Sequence, residues 1–373
     1  MVQLRSTTAS HRGVYKMILN YMGSKARLIP TLDKVISPLI KKIHDEKKSV
    51  VFGDLFAGTG FVGNFYMKNP LVTKLISADL ELYSYVINKA MLTTVYTPKL
   101  RRILEWLNSN KLKPVKGLVW KYFSPAGGRM FFTLKNAMRI DGFRIAISAL
   151  YKKKIVNYKE FIFLLASLMA ACSRGANVAS CFRAYLKKFC DRSLKDLIVK
   201  PIHLLQSRPR KQTRMYKNDI LNVVALSKNT VDIAYLDPPY NANHYGGYYS
   251  FYNYLAVYNR RYKIGGVAGV TSLYNKSEFG FKATALQAFE KLMKLLASNG
   301  TRYAVMSYNN DGAISKDELV DMLETVGRVM IYKCWNKKFK THQLVKSSHV
   351  KEFIFVVDFK SAAANQGTIE NWI

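Results

Sequence analysis

The chain has 373 residues, 49% of them hydrophobic, enough to bury a sizeable core in one to three domains. Its 58 Lys and Arg against 24 Asp and Glu give a formal charge of +34, which repels itself unless an anionic partner neutralises it. The longest apolar run, Phe161 to Cys172, spans 12 residues, and the N-terminus has no long apolar stretch, so neither a membrane span nor a signal peptide is expected.

Residues 1–17 are polar and basic and read as a loose arm. A helix is predicted over 25–45, then a buried strand over 50–55, Val50-Val51-Phe52-Gly53-Asp54-Leu55. The strand runs into Phe56-Ala57-Gly58-Thr59-Gly60, a glycine-rich turn before a helix that starts near 61. Such a turn lets the backbone approach a ligand that side chains would block, although helix–sheet packing alone can also require it. A second strand over 74–78 ends at Asp79, 19 residues after Gly60. That is about the spacing at which a nucleotide-binding α/β fold sets a carboxylate on a ribose hydroxyl pair. The third glycine and the cationic pyrophosphate partner of dinucleotide sites are not evident, so a nucleoside ligand fits better. Helical spacing returns over 83–94, and near Tyr96-Thr97-Pro98 the chain leaves the sheet.

The section from 100 to 212 is helical in pattern and basic, with one Pro/Gly turn at Ser124-Pro125-Ala126-Gly127-Gly128 and a buried helix over 161–172. From Lys99 to Lys217 there are 27 Lys and Arg against 5 acidic residues, so most of the excess charge is concentrated here. A polyphosphate partner accounts for this better than solubility, which acidic residues serve better. Cys172, Cys181, Cys190 and Cys334 show neither zinc-ligand spacing nor a disulfide framework. They point to a reducing compartment: cytoplasmic in a bacterial or viral setting, nuclear in a eukaryotic host. His203 and His342 read as surface residues rather than ligands, and no metal site is expected.

The sheet domain resumes near Met215 with Asn218-Asp219-Ile220 and a strand over 231–236. Asp237-Pro238-Pro239-Tyr240 follows, and two prolines cannot continue a central strand because each lacks an N–H. The chain therefore turns out at Asp237, with a carboxylate, a rigid carbonyl and an aromatic ring at the strand's carboxyl end. That set suits a planar base: Asp237 and the Pro238 carbonyl accept two N–H bonds from an exocyclic amine while Tyr240 stacks on the ring. A plain strand-to-loop turn is the competing reading. A long loop rich in Tyr and Gly is predicted to about 280, its rings divided between packing and stacking on bases. A helix over 281–297, a strand over 302–307, a helix over 316–326 and a strand over 352–358 complete the domain.

Taken together, these motifs resemble the Dam-like adenine-specific DNA methyltransferases, of the D12 class and alpha group. There a Phe-x-Gly-x-Gly turn precedes Asp-Pro-Pro-Tyr, and the target-recognition domain lies between them. The resemblance runs from about 18 to 358, beginning at Asn20-Tyr21-Met22-Gly23-Ser24-Lys25 and ending near Ser307-Tyr308-Asn309-Asn310 and Glu352-Phe353-Ile354-Phe355. Phe132-Thr133, Asn136-Ala137, Ile140-Asp141, Gly175-Ala176-Asn177 and Tyr185-Leu186-Lys187-Lys188 are similar to its restriction–modification branch. Cys172-Ser173-Arg174 departs from the acidic residue that the branch often carries before Ala-Asn.

The resemblance implies a Rossmann-like mixed α/β sheet with helices on both faces, the class I methyltransferase fold, with an inserted mainly helical target-recognition domain. The expected boundaries are 18–99 and 213–373 for the catalytic domain and 100–212 for the insertion. It implies methyl transfer from S-adenosyl-L-methionine to adenine N6 in a short duplex DNA sequence, with base flipping. Asp237, Pro238, Pro239 and Tyr240 would be catalytic. Tyr21, Lys25, Phe56, Gly58, Gly60, Asp79, Asp219 and Ile220 would hold the cofactor. Arg174, Asn177, Lys152, Lys153 and Lys154 are candidate DNA contacts, although Asn177 can equally cap a turn. A cognate restriction endonuclease acting on the same site is an expected companion. Two rival readings are a catalytically silent DNA-binding protein of this fold and an RNA or cytosine-N4 methyltransferase.

Overall fold

The computed structural model describes residues 18–20, 25–202, 212–226, 231–240, 245–337, 349–360 and 369–372. The predicted N-terminal arm, Tyr21, His203 and His342 lie outside them.

The first half of the sheet domain comprises α1 (Ile29–Lys47), β1 (Val50–Asp54), α2 (Phe61–Tyr66), β2 (Val72–Asp79) and α3 (Leu82–Thr93). The inserted section carries α4 (Pro98–Asn108), α5 (Leu118–Phe123), α6 (Leu134–Lys152), α7 (Tyr158–Gly175) and α8 (Asp191–Leu194). The sheet domain then continues with β3 (Gln212–Lys217), α9 (Ile220–Leu226), β4 (Ile233–Leu236), α10 (Tyr245–Val257) and a hairpin of β5 (Ile264–Gly265) and β6 (Val270–Thr271). It closes with α11 (Lys282–Ser298), β7 (Tyr303–Asn309), α12 (Lys316–Glu324), β8 (Arg328–Lys337), β9 (His349–Asp358) and β10 (Ile369–Trp372).

Eight strands form one sheet in the order β10-β8-β9-β7-β4-β1-β2-β3. The run from β3 through β1 to β7 is parallel, and β9 enters antiparallel to both β7 and β8. The chain goes outward from β1 to β2 and β3 on one side, then returns to lay β4 on the other. Such a reversal leaves a crevice at the carboxyl ends of β1 and β4, the place where open α/β sheets bind ligands.

Side chains alternate across the sheet with a period of two. Phe52, Ile233, Tyr235 and Val305 pack toward α1 and α2, whereas Ala234, Leu236, Ala304 and Met306 pack toward α9, α11 and α12. Both faces are thus covered by helices, as the class I methyltransferase fold requires. The predicted buried helix at 161–172 is the middle of α7, whose residues 162–173 are all buried. Among the described residues no helix is long and apolar enough to cross a membrane.

The predicted long loop after Tyr240 is corrected by the structure: residues 245–257 are helical, and a short hairpin follows. The sequence concealed α10 because it is apolar on every side, with no polar face to mark the helical period. Gly246 and Gly247 also lower its intrinsic propensity. Tertiary packing compensates, with the Phe251 ring stacked on Phe182 at 4.3 Å and edge-on to Phe123 at 4.9 Å. One apolar core joins the inserted helices to both α3 and α10.

Candidate active site

The glycine-rich turn leaves β1 at Asp54, and its backbone requires glycine at two positions. Gly58 has φ 49° and Gly60 φ 72°, and a Cβ on Gly60 would lie 1.9 Å from Asn88 Oδ1. Two acids fix the turn. The Gly63 amide donates to Asp54 Oδ2 at 2.7 Å, and the Gly58 amide to Asp79 Oδ2 at 2.7 Å. Asn88 Nδ2 adds a bond to the Gly58 carbonyl at 3.2 Å. The acid at the end of β2 is therefore coupled directly to the turn at the end of β1.

Beyond β2 the Glu81 amide donates to Asp79 Oδ1 at 2.8 Å. Glu81 itself is buried and accepts from the Asn275 amide at 3.0 Å and from the Asn253 side chain. Gly246 packs so closely here that a Cβ would meet Glu81 Oε1 at 2.4 Å. Burial pushes the Asp54 and Glu81 carboxyls up to about 7, each aided by neighbouring acids, and raises Asp79 as well. Sequence reading missed Glu81. Its available signal was its position two residues past Asp79, on the same side of the chain.

At the end of β4 the chain turns out at Asp237, whose side chain is 19% exposed. Lys25 Nζ lies 3.1 Å from Asp237 Oδ1 and 2.8 Å from Glu352 Oε1. The Tyr240 hydroxyl lies 2.8 Å from Asp237 Oδ1 and 3.1 Å from Glu352 Oε1, and it also accepts from Lys25 Nζ. One ammonium and one phenol thus sit between two carboxylates. Burial raises the Asp237 carboxyl and Glu352 adds to the rise, while Lys25 and Tyr240 oppose it. For Lys25, burial works against the charge, but Asp237 and Glu352 outweigh it and hold the ammonium above its ordinary pKa. The Tyr240 ring is edge-on to Tyr308 at 5.2 Å.

A single cavity gathers Lys25, Asp54, Phe56, Gly58, Asp79, Glu81, Asp219, Ile220, Asp237, Pro238, Pro239 and Tyr240. Every described residue predicted for the catalytic or cofactor set lines it except Gly60, which shapes the turn from behind against Asn88. Asp219 also accepts from the Leu221 amide at 2.9 Å, which fixes the start of α9. Phe279 faces Phe56 edge-on at 5.0 Å and completes an apolar wall with Ile220.

The candidate DNA contacts divide. Arg174, Lys152, Lys153 and Lys154 are exposed. Asn177 is fully buried, and its amide donates to the carbonyls of Met130 at 3.0 Å and Leu186 at 2.9 Å. Its Oδ1 accepts from the Cys190 amide at 3.0 Å. This corrects the candidate DNA contact at Asn177: the residue ties the segment between α7 and α8 back on itself and to the stretch at Met130, and its side-chain polar atoms are spent there.

A family model for the D12 class N6 adenine-specific DNA methyltransferases matches residues 21–322. The chain is similar to Type II methyltransferase M.CviAII of Paramecium bursaria Chlorella virus 1, at 34% identity over 343 residues, covering 91% of this chain and 98% of that protein. It is similar to Type II methyltransferase M.NlaIII of Neisseria lactamica at 31% identity over 335 residues, 89% of this chain and 95% of that protein. Modification methylase LlaI of Lactococcus lactis subsp. lactis matches at 29% identity over 314 residues, 82% of this chain but 48% of its own length.

Proposed function

The chain belongs to the D12 class of N6 adenine-specific DNA methyltransferases, and from this premise we propose that it methylates adenine within one short sequence of duplex DNA, using S-adenosyl-L-methionine and a flipped target base. The observation that carries this reading is the cavity at the β1/β4 reversal, where the Gly58 turn, Asp79 and Asp237 to Tyr240 meet.

The lining suits such a donor. Asp54, Asp79, Glu81, Asp219 and Asp237 supply carboxylates, with Lys25 as the cation among the described lining residues. An acidic pocket favours a ligand of net positive charge. Phe56, Ile220 and Phe279 offer apolar faces for a purine. Asp79 would accept from the ribose hydroxyls, the Gly58 backbone would allow close approach, Asp219 and Ile220 would meet the adenine, and Tyr21 belongs to the same proposed set. When bound, S-adenosyl-L-methionine supplies an electrophilic methyl group on its sulfonium.

The protein's part is to prepare the attacking amine. Adenine N6 is a poor nucleophile because its lone pair is delocalised into the ring. Asp237 and the Pro238 carbonyl would accept its two N–H bonds, favouring a pyramidal nitrogen with a localised lone pair aligned for attack. Tyr240 would stack on the ring. The base must leave the duplex, because stacked N6 cannot reach a methyl group held in this cavity.

Residues 100–212 would position the duplex and read its sequence, with Lys152, Lys153, Lys154 and Arg174 on phosphates. The names of the relatives favour a modification enzyme working beside an endonuclease of the same specificity. The family's description supports adenine in DNA over cytosine-N4 or RNA, and the complete set of acids supports a working enzyme over a silent binder. Tritium transfer from labelled S-adenosyl-L-methionine to unmethylated and premethylated duplexes tests this, followed by methyladenine sequencing of the product. Label on RNA or on cytosine, or no label at all, would overturn it.

A further inference from the structure

The geometry points to Glu352 as a positioning residue for methyl transfer: it draws the Lys25 ammonium to itself and so leaves the Asp237 carboxylate able to accept from the target amine. The inference rests on the function proposed above. Glu352 is 3% exposed on β9, two strands away from β4, opposite Asn309 on β7 and Cys334 on β8. A charge so placed is costly unless paired. Its partners are Lys25, 327 residues away, and the Tyr240 hydroxyl. The two ends of the described chain therefore close on the same catalytic corner.

The distances rank the competition. Lys25 Nζ is closer to Glu352 Oε1, at 2.8 Å, than to Asp237 Oδ1, at 3.1 Å. Both the Lys25 and Tyr240 hydrogen bonds of Asp237 fall on Oδ1, which leaves Oδ2 without a hydrogen bond among the described residues. Were Glu352 absent, Asp237 would be the ammonium's one carboxylate partner among the described residues, and a tight buried ion pair would weaken that carboxylate as an acceptor. Charge count leads to the same conclusion. One ammonium between two carboxylates leaves a net negative charge beside the amine. As the N6–C bond forms and the S–C bond breaks, positive charge passes to N6 until its proton departs to solvent. A net negative cluster stabilises that charge, and a neutral pair does so less.

The test is single-turnover methylation of unmethylated plasmid DNA at saturating S-adenosyl-L-methionine, with Glu352→Gln, Glu352→Asp and Lys25→Met/Glu352→Gln. Glu352→Gln should be at least 30-fold slower, with both dissociation constants within threefold of the parent. The acid limb of its pH–rate profile should move to lower pH, because loss of a neighbouring negative charge favours ionised Asp237. The double variant restores the net negative charge and should be at least threefold faster than Glu352→Gln. If Glu352→Gln does not fold, Glu352→Asp, which keeps the charge but withdraws it from Lys25, should still be slower than the parent, with a smaller downward shift of the acid limb. A rate within threefold of the parent, an unmoved acid limb, or a double variant no faster than the single would each overturn the assignment. A parent protein that transfers no methyl would instead overturn the proposed function.

Discussion

Arg144 of the inserted section holds the last turn of α10 through Leu255: its Nε donates to the Leu255 carbonyl at 2.6 Å. Its Nη2 donates to the Ala256 carbonyl at 2.6 Å, so one guanidinium satisfies two orphan carbonyls at a helix end. The same helix begins beside the cavity, where Gly246 packs on Glu81. The inserted section and the candidate active site therefore share an element. Arg144→Met should lower folding stability by about 2–4 kcal/mol, the scale of losing charge-assisted bonds to buried carbonyls. Denaturant unfolding checks this, and a loss below about 0.5 kcal/mol would mean that the contact carries no weight.

Asp237→Ala should abolish methyl transfer while leaving cofactor and DNA binding nearly intact. In the proposed mechanism its carboxylate acts on the amine at the moment of attack, and Glu352 remains to pair with Lys25 in the variant. Turnover within about tenfold of the parent, only ~1.4 kcal/mol of barrier, would contradict the role.

Asp79→Ala removes the acceptor proposed for the ribose and also the bond that holds the Gly58 amide. Loss of a charged acceptor, about 1.5–3 kcal/mol, should raise the dissociation constant for S-adenosyl-L-methionine roughly 10- to 100-fold. Calorimetry on the DNA-free protein reads it directly, and an unchanged constant would move the ribose site elsewhere.

Cofactor affinity should rise with pH between 6 and 8. The Asp54 and Glu81 carboxyls are pushed up to about 7, chiefly by burial, so both are partly protonated at the lower end of that range. A cationic ligand favours their ionised forms, and raising the pH supplies those forms without a binding penalty. The dissociation constant should fall several-fold, on the order of tenfold at most for one group shifted by about one unit. Affinity that is flat or that falls with rising pH would show that these acids do not face the bound cation.

Duplex binding should weaken steeply with salt, since the exposed Lys152, Lys153 and Lys154 are only part of a strongly basic section. About six phosphate contacts would give a log–log slope near −5, and single Lys→Ala changes should weaken all duplexes about equally. Exchange of residues 100–212 with those of a relative of different specificity should transfer the methylated sequence. A slope shallower than about −2, or a folded, active chimera that still marks the parental site, would place recognition outside this section.

The sequence alone determined the parts of this protein that depend on short-range patterning. Buried strands are runs of apolar residues, and glycine or proline ends them for local steric reasons, so β1, β2, β4 and β7 and the turns at Gly58 and Asp237 were legible. Asp79 was legible because one short helix, one loop and one strand fix its distance from Gly60. Tertiary structure decided what local patterning does not carry. Residues 245–257 are helical because Phe182, Phe123 and their neighbours pack around them, not because their own sequence has a helical face. Asn177 is an internal tie because its own loop folds back on it and the stretch at Met130 meets it there. Lys25 and Glu352 meet Asp237 because strand order brings β9 within reach of β4 across β7, and no pattern within either segment encodes an approach over 327 residues.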